Sequence, residues 1–206
     1  MMTTKKFFLS ACIVMLSATL FAQLSVGLRG GVNIAKQTYD ADGFDISPDN
    51  IIGLTLAGII ELGLTENLAI QPELAFVQKG FKFEFEDISG EKTTSKLRIN
   101  HIDVPVLVKY KFGGETIGAY LAAGPTFGYA ITGSSEEDGD KTKFEDEDWE
   151  GYNRFELGGS LGGGLKFGKL FLDLRYLLSF SNLTDESDVK AHNNGISISL
   201  GFLTDL

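Results

Sequence analysis

Residues 51–76 read IIGLTLAGIIELGLTENLAIQPELAF, and this stretch decides the fold. Leu54, Leu56, Gly58, Ile60, Leu62 and Leu64 fall in one phase, with Gly53, Thr55, Ala57, Ile59, Glu61 and Gly63 in the other. After Thr65-Glu66-Asn67 the alternation resumes, with Leu68, Ile70, Leu74 and Phe76 opposite Ala69, Gln71, Glu73 and Ala75. Side chains alternate across a strand, so the stretch predicts two antiparallel strands joined by a tight turn, each with an apolar face and a small or polar one. Each run is roughly ten residues, the length a tilted membrane-spanning strand needs; globular strands average about five or six.

Six further runs repeat the pattern. Val26, Leu28, Val32 and Ile34 alternate with Gly27, Arg29, Gly31 and Asn33. Ile102, Val104, Val106, Val108 and Tyr110 stand against His101, Asp103, Leu107, Lys109 and Lys111. The others lie at Ile117–Ile131, Arg154–Phe167, Leu172–Ser179 and Ile196–Phe202. Their connections alternate in length. Thr65–Asn67, Gly113–Thr116 and Gly168-Lys169 are tight, whereas Lys36–Asn50, Asp87–Thr94, Thr132–Gly151 and Thr184–Asn193 are long and polar. Short turns at one end and long loops at the other, with both termini at the short-turn end, are the layout of an outer-membrane barrel. Glu61, Glu73, Asp103, Glu156, Asp173 and Arg175 all fall mid-strand on the polar face, where a narrow barrel has a lumen in which charges pair. The expectation is an all-β chain: an eight-stranded antiparallel up-and-down transmembrane β-barrel over residues 23–206, with both termini periplasmic.

The first 22 residues carry an address. Lys5 and Lys6 precede the apolar stretch Phe7–Leu20, and Leu20-Phe21-Ala22 offers a small residue for cleavage before Gln23. Leu9-Ser10-Ala11-Cys12 resembles a lipoprotein box, but the apolar run continues past Cys12, which favours a cleavable signal peptide at 1–22. Cys12 is the sole cysteine, so the mature chain has no disulfide, thiol nucleophile or thiolate metal site. The full chain carries a net charge of −10, and loss of Lys5 and Lys6 makes it more acidic still, which disfavours nucleic acid as a partner.

Aromatic residues gather near strand ends. Tyr129, Trp149, Tyr152, Phe155 and Phe180 fall at one end and Tyr110, Phe112, Phe167 and Phe202 at the other, as two interfacial girdles would. The stretch His101-Ile102-Asp103-Val104-Pro105-Val106-Leu107-Val108-Lys109-Tyr110-Lys111-Phe112 resembles the outer-membrane β-barrel domain common in Bacteroidota, the PorT-like group. Ala123-Gly124-Pro125 with Gly128-Tyr129, and Leu172-Asp173-Leu174-Arg175-Tyr176 with Ser181-Asn182-Leu183, extend the resemblance over the mature chain. It implies an outer-membrane location and a non-enzymatic role, since relatives include a component linked to secretion and gliding. The chain departs from the usual terminal aromatic by ending Thr204-Asp205-Leu206, which displaces that assembly signal to Phe202.

Other motifs reduce to structure. Gly159 and Gly164 have phosphate-loop spacing, yet Leu165 stands where Lys is required and no helix follows; on a strand, such glycines let a wall curve and leave room inside. Pro105 lacks a donor and predicts a bulge. His101 and Asp103 face the lumen two residues apart, without a nucleophile or oxyanion stabiliser marked nearby. The acids between Glu136 and Asp148 lack the ligand spacing of a calcium loop and read as a solvated segment. The expected site is therefore a lumenal charge network centred on Arg175, its only strong mid-lumen cation, with Asp173, Glu156, Glu61 and Glu73 around it. No catalytic group, cofactor or metal is expected. Three functions stay open: a structural barrel or accessory to surface assembly or secretion; a narrow pore or lateral path for small solutes; and an exported lipocalin-like binder. Lipid, lipopolysaccharide and, during insertion, the barrel-assembly machinery are the expected partners.

Overall fold

The structure is a computed structural model that describes residues 24–41, 44–46, 48–86, 92–114, 116–145, 147–184 and 189–206; the expected signal segment lies outside them. The chain runs through β1 (Leu24–Ala41), β2 (Phe44–Ile46), β3 (Ile51–Gly63), β4 (Leu68–Glu86), β5 (Lys92–Gly113), β6 (Ile117–Glu137), β7 (Asp140–Lys143), β8 (Phe155–Phe167), β9 (Leu170–Ser179) and β10 (Val189–Asp205). Eight of these form an antiparallel ring in the order β1-β3-β4-β5-β6-β8-β9-β10, and β10 closes it on β1; β2 and β7 are short flaps on β1 and β6. The closing ladder runs from Ser25↔Asp205 to Ala41↔Val189. A closed ring pairs every strand on both sides, the condition on which strands can cross hydrocarbon.

Polarity is inverted relative to a soluble protein. Leu28, Leu54, Leu56, Leu74, Leu174 and Leu200 stand exposed on the outer wall, while Arg29, Glu61, Glu73, Asp173 and Arg175 are buried inside. β3 shows the cause directly, with exposure alternating residue by residue along IIGLTLAGIIELG. A continuous apolar belt of this extent is stable only against lipid or a partner. A lipocalin-like binder would have the opposite arrangement, with an apolar interior and a polar wall.

Local chemistry sets the turns. Gly168-Lys169 closes a two-residue hairpin between Phe167 and Leu170, and Gly168 takes a φ of 59°, which glycine adopts at no steric cost. At the first tight turn, Thr65 Oγ1 accepts from the Leu68 amide at 3.0 Å, and the Asn67 side chain donates to the Lys111 carbonyl at 3.0 Å. These contacts tie the β3–β4 turn to β5.

The long connections differ from expectation. β1 continues to Ala41, β5 starts at Lys92, β6 runs to Glu137 and β10 starts at Val189, so parts of all four expected loops are strand. β4, β5 and β6 have 19, 22 and 21 residues against 10 for β9. A crossing needs about 9–11 residues, so one side of the barrel stands well clear of the membrane at the end opposite the tight turns. Alternation records a buried face and fades where both faces are wet, whereas backbone pairing persists. Cross-strand pairs such as Lys96 Nζ to Glu136 Oε1, at 2.7 Å, hold the projecting part.

The bulge expected at Pro105 is absent. Pro72, Pro105 and Pro125 lie on β4, β5 and β6, and the neighbouring ladders skip pairs beside them without losing register. The register shift sits instead at Asn100/His101, between β5 and β6. A missing donor removes one hydrogen bond; the closed ring keeps the strands aligned across the gap.

Candidate functional site: the charged lumen

Inward positions of every ring strand converge on a filled interior. Glu73, on β4, is the hub of the first network. Arg29 on β1 donates to Glu73 Oε2 through Nε at 3.0 Å and Nη2 at 2.9 Å. Arg175 on β9 reaches the same carboxylate, with Nη1 3.0 Å from Oε2 and Nη2 2.8 Å from Oε1. Gln71 Nε2 donates to Glu73 Oε1 at 2.6 Å. Arg175 also pairs with Asp173, its Nε lying 2.6 Å from Oδ1, and Tyr120 donates its hydroxyl to Asp173 Oδ2 at 2.6 Å. The side chain of Glu73 is 0% exposed, so both guanidinium contacts act without competing water.

Gln71 links this hub towards the tight-turn end. Lys109 Nζ donates to Gln71 Oε1 at 3.0 Å and to Glu61 Oε2 at 2.7 Å, and Lys111 approaches Glu61 Oε1 at 3.5 Å. Lys109 also lies over the Tyr120 ring, 4.1 Å from its centroid.

A second network lies towards the long-loop end. Lys79 Nζ sits 3.0 Å from Asp103 Oδ2 and 2.8 Å from Glu156 Oε1. Asn193 Nδ2 donates to Glu156 Oε2 at 2.7 Å. His101 is fully buried beside them, with Nδ1 3.9 Å from Asp103 Oδ1 and 4.0 Å from Glu156 Oε2. Neither ring nitrogen has a hydrogen-bond partner, so His101 and Asp103 are not in the contact a catalytic pair requires.

All five expected residues face the lumen, but they do not form one group around Arg175. Asp173 and Glu73 touch it, and Glu61 joins only through Lys109 and Gln71. Glu156 belongs to the Lys79 network and makes no ion pair with Arg175. Nor is Arg175 the only mid-lumen cation, because Arg29, Lys79 and Lys109 are buried with it. Arg29 and Lys109 were already in the polar phase of their strands; Lys79 lies beyond Phe76, where the apolar alternation of β4 stops being evident. Strand tilt in a closed barrel staggers neighbours along the axis, so phase assigns a side chain to the lumen without giving its height.

An apolar cluster of Ile59, Leu107, Tyr120, Ala122, Phe171 and Leu203 completes the filling. Inward glycines make room for its larger members and for Arg175. A Cβ at Gly164 would overlap Tyr120, one at Gly162 would press on Arg175, and one at Gly201 would overlap the Phe171 ring. Gly201→Ala is therefore expected to destabilise the barrel by about 1–3 kcal/mol, as overpacking does. Gly58→Ala faces open space on the outer wall and should be close to neutral. Urea unfolding in detergent compares the two, and equal midpoints would contradict the packed interior.

The sequence matches the model of a family described as outer membrane protein beta-barrel domain over residues 21–185. The chain belongs to that family. An outer-membrane β-barrel of this family accounts for the apolar outer wall and the charged interior together. Among solved structures it is similar to Ail of Yersinia pestis, at 16% identity over 87% of this chain and 99% of Ail, with a TM-score of 0.42. It is also similar to OprG of Pseudomonas aeruginosa, at 11% identity over 90% and 98%, TM-score 0.47. The neisserial surface protein NspA matches at 11% identity over 87% and 96%, TM-score 0.44. No curated protein matches by sequence.

Proposed function

We propose that this outer-membrane barrel is a non-enzymatic, non-conducting protein that anchors a projecting surface sheet, structural in itself or accessory to surface assembly or secretion. The observation that carries the reading is the filled lumen. Among the described residues, two ion-pair networks and the apolar cluster occupy its cross-section, with Glu73 and Arg175 buried at the hub. Eight strands enclose a space that side chains can fill, and here they do. The tall wall of β4, β5 and β6, with the β7 flap, supplies a surface for contact beyond the membrane. The PorT-like resemblance is the finer form of the same proposal.

The tight-turn end, which holds both Leu24 and Leu206, faces the periplasm in this reading, and the long loops face outwards. In planar bilayers the purified barrel should show no stepwise conductance. Steady ion-selective steps from the unaltered protein would replace the reading with the narrow pore. Orientation has its own test at Asp138-Gly139, the two-residue turn joining β6 to β7, with φ values of 48° and 98°. An epitope inserted there should be reached by antibody on intact cells. Labelling only after lysis would reverse the topology.

A further inference from the structure

At the tight-turn end the lumen opens into a vestibule of about 330 Å³. Tyr120 and Leu203 from the apolar cluster line it, which makes it a pocket with an inner end and not a passage. Among the described residues its lining carries four lysines and three acids, in a chain whose net charge is −10. Lys109, Lys111, Lys166 and Lys169 all line it, facing Glu61, Glu66 and Asp205. Glu61 is shared between Lys109 at 2.7 Å and Lys111 at 3.5 Å, so one carboxylate serves two ammonium groups. Asp205 accepts the Ser25 hydroxyl at 2.6 Å. Among the described residues Lys166 and Lys169 have no carboxylate within ion-pair distance. Lys111 and Lys166 are both half-buried.

We propose that this vestibule binds a small, multiply charged oxyanion carrying phosphate or carboxylate groups, with Lys111 and Lys166 as its main contacts. An oxyanion supplies charge-assisted contacts to lysines that either share one carboxylate or have none among the described residues. The vestibule is too small for a folded partner, and its inner wall, formed by Lys109 and the Tyr120 ring, offers a charge beside a flat apolar surface. An anion with two or more negative groups has one for each of the lysines from β5 and β8. The inference is independent of the proposed surface role.

Calorimetric titration of the folded barrel in nonionic detergent tests it, with pyrophosphate in one arm and tricarballylate in the other. Saturable binding of at least one is expected, and the arm that binds more tightly identifies phosphate or carboxylate as the natural group. The double variant Lys111→Gln/Lys166→Gln should weaken binding by about tenfold or more, as loss of charge-assisted contacts does. Lys141→Gln/Lys143→Gln, in the opposite flap, should leave it unchanged. Lack of saturable binding in both arms, or equal weakening in both double variants, would overturn the site. If the vestibule variant fails to fold, the unaltered protein still decides the matter. Bound anion should shield Lys111 and Lys166 from reductive methylation relative to Lys141, and absence of that shielding refutes the proposal.

Discussion

Glu73→Ala is expected to destabilise the barrel by about 3–5 kcal/mol, the cost of removing one partner from a buried ion pair. Glu73 accepts from Arg29, Arg175 and Gln71 at once. Without it Arg29 keeps only the Ser199 hydroxyl at 3.3 Å, and Arg175 keeps Asp173 alone. One buried guanidinium, Arg29, is then left without a carboxylate and the other, Arg175, with one, and no solvent screens them. Arg175→Ala should cost less, because Glu73 retains Arg29 and Asp173 retains the Tyr120 hydroxyl. Glu156→Ala should cost least, since Lys79 still has Asp103 at 3.0 Å. The temperature at which heated samples change gel migration gives the ranking. Identical midpoints for Glu73→Ala and Glu156→Ala would sink the hub assignment.

Arginine on the outer wall tests the other face of the same strands. Leu56→Arg and Leu174→Arg each place a guanidinium in the middle of the apolar belt, where the cost is about 2–4 kcal/mol. Both leucines are more than half exposed, at 59% and 54%, so the penalty comes from lipid and not from lost packing inside the protein. Leu170→Arg, also exposed but next to the Gly168-Lys169 turn, should cost only about 0–1 kcal/mol, because an arginine there reaches the interface. Ala57, one residue along from Leu56, faces inwards among Ala75 and Val77, and Arg there fails by overpacking instead. Unfolding from phospholipid bilayers with urea separates these cases. A cost at Leu170 equal to that at Leu56 would place the belt wrongly.

The two expectations draw on different depths of information. Leu56 and Leu174 were assignable from residues 51–64 and 172–179 alone, because a period of two puts every second side chain on one face. Glu73 was assignable to the lumen in the same way, and its role as hub was not. Arg29 is 44 residues from Glu73 in sequence and Arg175 is 102, and nothing local states that they meet. Pro105 shows the limit from the other side. Its lost donor is a local fact, but whether the strand bulges depends on both neighbours holding register. Lys79 carries no mark of its phase, because the apolar alternation of β4 fades after Phe76 although the strand continues to Glu86.

By itself the sequence determined strand phase, the number of crossings, the short-turn and long-loop ends, and the inward face of Glu61, Glu73, Asp103, Glu156, Asp173 and Arg175, since each follows from alternation and turn chemistry along the chain. Only the tertiary structure decided which charges touch, how far strands continue beyond the apolar belt, and where the lysine-lined vestibule forms. Those depend on tilt and stagger around a closed ring, which bring side chains from β1, β4 and β9 to one carboxylate and leave Glu156 to Lys79.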